Sequence, residues 1–166
     1  MTRQTLTALL GATASLVVYV ANAGTDDARV ARGAYLAAIM DCGGCHTPRA
    51  ADGAPIVTAG LSGGNVGFEI PGLGIFWASN LTPHKSGLKG WSTRQIVDAI
   101  RTGTRPDGRM LAPAMPWPSF AHLSDEDAEA LALYLRSLPP AESTASSPVG
   151  SARDAKAPFY RVTLPE

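Results

Sequence analysis

The sequence predicts an all-α domain of about three main helices joined by a long Gly-rich loop. Two segments, Thr93 to about Thr102 and Asp125 to about Leu138, each follow a serine suited to cap a helix. A third, Asp26 to Met40, is dominated by Ala, Leu and Ile. Between them, Pro48 to Gly90 holds Gly53, Gly60, Gly63, Gly64, Gly67, Gly72, Gly74, Gly87 and Gly90, a density that no helical period survives.

The chain has 166 residues, enough for one domain or one domain with tails. Its formal net charge is zero, which argues against a nucleic-acid partner. The chain opens as an export segment. Arg3 precedes a mostly apolar run, Leu6 to Val20, and Ala21-Asn22-Ala23 fits the small-x-small pattern of a cleavage site. Residues 1–23 are therefore expected to be a signal peptide, with the mature chain starting at Gly24 and acting in the periplasm. The run is short for a membrane span, and retention as an anchor is the alternative.

Taken in order, the first helix keeps Gly33, which costs about 1 kcal/mol against Ala and often permits close packing. The Gly-rich loop is long enough to wrap something large, and Phe68 to Ser79 has room for short strands around Pro71-Gly72. Ser92 and Gln95 form a capping box for the second helix. Trp91 and Ile96 are spaced as a hydrophobic staple, and Gly103 suits the position after the helix. Ser124 caps the third helix, Asp125, Glu126 and Asp127 favour its positive end, and Pro139-Pro140 stops it. The domain is thus placed at 24–140. Residues 141–166 are read as a linker rich in Ser, Ala and Pro, then a tail. Phe159, Tyr160 and Val162 make that tail apolar enough to pack on the domain or on a partner.

Only two cysteines are present, in Cys42-Gly43-Gly44-Cys45-His46. C-x-x-C-H is the attachment pattern of c-type haem. Two thiols about one helical turn apart reach the two vinyl groups of one porphyrin, and the adjacent His lies under the iron. A redox dithiol would want a βαβ context, and a zinc site would need further ligands such as His84 or His122. One covalent haem c on Cys42 and Cys45, with His46 as axial ligand, is the preferred reading.

A second axial ligand is sought among the methionines. Met40 sits just before Cys42, on the same helix, and cannot easily reach the opposite face. Met110 and Met115 lie in the loop between the second and third helices. Met115 is favoured, because the prolines of Pro113-Ala114-Met115-Pro116-Trp117-Pro118 stiffen its segment. Met110 and an open or His-ligated iron are the alternatives, and a core-filling Met is the bland one.

The order of helix, C-x-x-C-H, Gly-rich wrap, capped helix, Met loop and final helix resembles the class I cytochrome c domain over roughly residues 28 to 139. The resemblance implies that Gly33 packs against an aromatic of the last helix, Tyr134. A closer likeness lies in Ser79-Asn80-Leu81-Thr82-Pro83, Gly90-Trp91-Ser92, Pro113 to Phe120 and Leu123 to Asp127. These resemble haem modules of the cytochrome subunits of bacterial periplasmic alcohol, aldehyde and gluconate dehydrogenases. That likeness implies Met115 as the axial ligand. Such subunits usually carry three haem modules and a C-terminal membrane anchor; here one module and no such anchor are expected.

Other residues are candidates for supporting roles. Trp77, Trp91 and Trp117 suit either core packing or donation of an indole N–H to a haem propionate. Asn80 suits a propionate contact or a turn. A backbone carbonyl near Pro48 or Pro55, with Pro55 preferred, is expected to accept from the His46 ring. Six cations (Lys85, Lys89, Arg94, Arg101, Arg105, Arg109) stand against Asp98 and Asp107 in one stretch, as a steering surface or an ordinary solvated face. The leading functional reading is a non-enzymatic electron carrier. A periplasmic dehydrogenase would be its donor and a cytochrome or terminal oxidase its acceptor. The alternative is a haem enzyme, a peroxidase or small-substrate oxidoreductase, with an open sixth position served by His122 or Arg109.

Overall fold

The computed structural model describes residues 10–143 and 145–165, with residues 10–24 as backbone only. Its first helix, α1, runs Leu10–Ile39, far upstream of the expected Asp26 start. Leu10 to Ala23 contains no proline and is rich in good helix formers, so no residue there stops the helix. The helix thus passes through the expected cleavage site, while Arg3 lies outside the described residues. Among the described residues no helix is long and apolar enough to cross a membrane.

Asp41 ends α1 by adopting a left-handed backbone, φ 53°, which a short polar side chain tolerates. Its carboxylate then accepts from Gly44 N at 3.1 Å and caps α2, Cys42–His46. The next long helices match the sequence closely. Helix α3 is Thr93–Thr102, with both halves of the Ser92–Gln95 capping box formed and Gly103 left-handed after it. A short α4, Trp117–Phe120, lies inside the proline-rich segment, where Pro118 occupies the first turn that proline tolerates. Helix α5 is Asp125–Ser137, with the Ser124 hydroxyl accepting from Asp127 N at 3.1 Å.

Helices α1, α3 and α5 enclose one core of Leu36, Ile96, Ile100, Ala128, Leu131 and Leu135. Each fully buried Leu or Ile there stabilises by about 1.5–3 kcal/mol. The closest approach in that core is between α1 and α5. A Cβ on Gly33 would lie 2.6 Å from the Ala130 carbonyl carbon and 2.7 Å from Tyr134 Cβ, so only glycine permits the crossing. Arg29–Glu129 at 2.6 Å and Arg32–Asp127 at 2.8 Å flank it as exposed ion pairs.

The all-α expectation is corrected by a three-stranded mixed sheet. Strands β1, Gly67–Ile70, and β2, Gly74–Phe76, form an antiparallel hairpin, and β3, Phe159–Tyr160, joins β1 in parallel. Among the described residues there are five α-helices and this sheet, whose third strand comes from the tail beyond residue 140. In the hairpin, glycine is a turn residue. Gly72 (φ 78°) and Gly74 (φ 123°) take backbone angles that L side chains rarely adopt, so their density favours a tight hairpin as well as irregular loop. The inner side chain Ile75 is fully buried. The tail returns to this sheet: Val149 bridges Ile75, Trp77 Nε1 donates to the Pro158 carbonyl at 3.1 Å, and Arg161 pairs with Glu69. Of the apolar tail residues, Phe159 and Tyr160 pair with β1, while Val162 is 89% exposed.

Candidate functional site

Five consecutive residues place three reactive groups on α2. Cys42 is half-buried and Cys45 exposed, and His46 is buried with 8% exposure. Burial pushes the Cys42 thiol up to about 11, and burial raises Cys45 as well. A redox-active dithiol needs a lowered thiol pKa, so this environment argues against that chemistry. Burial lowers the His46 pKa, opposed by a backbone hydrogen bond, so the ring is held neutral and able to offer a lone pair.

That backbone bond joins His46 Nδ1 to the Ser79 carbonyl at 2.6 Å. It replaces the expected carbonyl near Pro55. The Pro48 carbonyl is occupied by Ile56 N at 2.8 Å, and Pro55 is exposed at a surface bridge. With Nδ1 donating to Ser79, Nε2 is the nitrogen free for a metal. Sequence reasoning had no means to find Ser79, because every residue carries an acceptor carbonyl and only the fold selects one.

The two loop methionines part company. Met110 is 56% exposed, and its sulfur accepts from the Thr104 hydroxyl at 3.8 Å. Met115 is half-buried and packs on the same core cluster as Cys42, together with Leu61, Leu81, Trp91, Phe120 and Leu123. These side chains form a rim of incompletely buried apolar groups around the core. Met40 also packs on that cluster. His122 is exposed and His84 Nδ1 pairs with the Ser86 hydroxyl at 2.8 Å. Arg109 is exposed and paired with Asp107 at 2.7 Å.

Two buried donors near this rim lack hydrogen-bond partners among the described residues: Arg105 Nε and Trp117 Nε1. Asp107 lies 3.7 Å from Arg105 Nε, beyond hydrogen-bond reach. The Trp117 indole would be met at 2.8 Å by a Cβ on Gly103, and the Arg105 guanidinium lies over the Trp91 ring at 5.4 Å. Unpaired buried donors cost about 1–3 kcal/mol each, so they point to an acceptor that arrives with a ligand. Two of the other expected propionate donors are engaged elsewhere. Trp77 bonds Pro158, and Asn80 spends both side-chain atoms within the protein. The residues fit a haem: two thiols and a neutral imidazole on one helix, an apolar rim, a half-buried thioether sulfur, and two N–H donors suited to carboxylates. Among the described residues no group of three or more His, Cys, Asp and Glu is gathered as a metal site.

Comparison with known proteins shows the family of the chain. The sequence model of the family described as cytochrome c matches residues 30–139. The chain is 35% identical over 117 residues, 69% of its length, to the cytochrome c subunit of the quinone alcohol dehydrogenase of Gluconobacter oxydans. It is 37% identical over 114 residues, 66% of its length, to the gluconate 2-dehydrogenase cytochrome c subunit of Pantoea cypripedii. Against the fructose dehydrogenase cytochrome subunit of Gluconobacter japonicus it is 36% identical over 107 residues, 64% of its length. The matches cover 23%, 23% and 20% of those proteins, so the chain spans about a quarter of their length.

Proposed function

Because this chain belongs to the cytochrome c family, we propose that it is a single-electron carrier holding one haem c. The observation that carries the reading is α2, where Cys42, Cys45 and a buried His46 stand on one five-residue helix. In this reading the Cys42 and Cys45 sulfurs would hold the porphyrin as thioethers, and His46 Nε2 and Met115 Sδ would ligate its iron. Arg105 Nε and Trp117 Nε1 would hold the propionate carboxylates, which would give both buried N–H groups acceptors. When bound, the haem supplies a reversible one-electron iron couple.

The protein's own groups set the terms of that couple. Ser79 holds the His46 ring in one tautomer through its carbonyl. The apolar rim of Leu61, Leu81, Trp91 and Phe120 excludes water, which disfavours net charge at the centre. With Met115 as its second protein ligand, the iron would be closed to substrate. The relatives' names make a dehydrogenase the natural donor. A downstream cytochrome or terminal oxidase is the natural acceptor. The mature chain from Gly24 would work in the periplasm, with the domain at 24–140.

The test is the optical spectrum of the purified protein, oxidised and reduced, with carbon monoxide added to the reduced form. A low-spin haem that resists carbon monoxide is expected in wild type and in Met110→Ala, with carbon monoxide binding and a lowered potential in Met115→Ala. A wild-type protein that binds carbon monoxide readily would sink the carrier reading. Met115→Ala with an unchanged spectrum and potential would sink the ligand assignment.

A further inference from the structure

Ser79 belongs to an irregular segment and is exposed, yet its carbonyl must stay within 2.6 Å of the His46 ring. A loop carbonyl is held still only if its neighbours are anchored. The neighbour is Asn80, 2% exposed and bonded at every polar atom of its side chain. Asn80 Nδ2 donates to the Ala141 carbonyl at 2.7 Å and to the Ser86 hydroxyl at 3.1 Å. Asn80 Oδ1 accepts from Thr82 N at 2.8 Å and lies 2.8 Å from the Thr82 hydroxyl. That hydroxyl accepts from Ala141 N at 3.0 Å, and the Ser86 hydroxyl accepts from Ser143 N at 3.1 Å. The anchor at Ala141 and Ser143 lies past residue 139, where the match to the family ends.

We infer that Asn80 is a positioning residue for His46, and that the segment after α5, at Ala141–Ser143, is the anchor through which it acts. This rests on the reading of His46 as an iron ligand. The network ties the strand of chain bearing the Ser79 carbonyl to a segment that the sequence shows only as a linker. An imidazole that donates to a fixed carbonyl is a stronger electron donor through its other nitrogen. The strap therefore bears on the electron-donating power of His46, and loosening it weakens that donation. Weaker donation disfavours the ferric state, so the potential rises.

The experiment measures the midpoint potential and the haem-methyl proton shifts of the oxidised full-length protein. The variants are Asn80→Ala, Ser86→Ala and Thr82→Ser. Asn80→Ala is expected to raise the potential and redistribute the methyl shifts, which report the orientation of the axial imidazole. Ser86→Ala changes an exposed side chain and is expected to move both readings in the same direction by less. Thr82→Ser keeps the hydroxyl and is expected to match wild type. Wild-type potential and methyl shifts in both Asn80→Ala and Ser86→Ala would overturn the inference, even with a lowered unfolding midpoint, because a merely structural role predicts that outcome. If Asn80→Ala does not fold, Ser86→Ala decides alone. Failure of the underlying reading shows separately, as a wild-type protein whose pyridine haemochrome spectrum lacks thioether-linked haem.

Discussion

Replacing Gly33 with alanine tests the central helix crossing. On an isolated helix this change stabilises by about 1 kcal/mol, because glycine has more backbone freedom to lose. In this protein the new Cβ would meet the Ala130 carbonyl carbon at 2.6 Å and Tyr134 Cβ at 2.7 Å, with the carbonyl oxygen nearer still. Real Cβ atoms essentially never come within 3.0 Å of such neighbours. Two of the obstructing atoms are α5 backbone, which cannot rotate aside as a side-chain tip can. Helices α1 and α5 must therefore separate, and the shared core of Leu36, Leu131 and Leu135 loosens with them. Overpacking of this kind costs about 1–3 kcal/mol, and backbone obstruction places it at the upper end. Setting the helical gain against it leaves a net loss of about 2 kcal/mol, roughly a 30-fold fall in the folded-to-unfolded ratio. Guanidinium unfolding of the purified protein reads this as a lower midpoint at an unchanged slope. Gly150→Ala is the control, since a Cβ there meets nothing within 4 Å, and it should leave the midpoint in place. A Gly33→Ala protein as stable as wild type would refute the close-crossing argument and leave helix propensity as the governing effect.

Other perturbations follow from single contacts. Ser92→Ala and Ser124→Ala remove the hydroxyls that accept from Gln95 N and Asp127 N, and each should cost about 1 kcal/mol in the same unfolding assay. The Arg32 guanidinium holds the Asp127 carboxyl below the usual carboxylate range. That ion pair stabilises the fold above the unfolded carboxylate pKa of about 3.9 and is lost as pH falls through the folded value. Stability curves of wild type and Arg32→Gln should therefore differ near neutrality at low salt and converge in acid; a gap that persists in acid would refute the assignment. Trp77→Phe deletes the indole N–H that holds the Pro158 carbonyl, while Gly67 N still reaches that carbonyl at 2.8 Å. Limited trypsin digestion should cut faster at Arg153, Lys156 and Arg161 in that variant; equal rates would show that the strand pairing alone secures the tail.

The capped helices were legible because their determinants are local. Ser92 with Gln95, and Ser124 with three acidic residues after it, act within one helical turn, and both helices start where those residues predict. The start of α1 was misjudged, since propensity alone has no stop without a breaker. The hairpin falls where the sequence has room for short strands around Pro71-Gly72. Its third strand, Phe159–Tyr160, escapes for the opposite reason: it pairs with residues some ninety positions earlier in the chain, and two residues carry no period to read.

The site divides along the same line. The Cys42, Cys45 and His46 triad is a matter of spacing along one helical turn, so the sequence by itself determined the class of group it can hold. Which carbonyl orients His46, which methionine turns inward, and which N–H groups are left needing an acceptor depend on where distant segments come to rest. Ser79 meets His46, Met110 turns to solvent while Met115 packs inward, and Ala141 closes over Asn80 only once the core has assembled. These contacts join groups far apart along the chain, so they were decided by the tertiary structure alone.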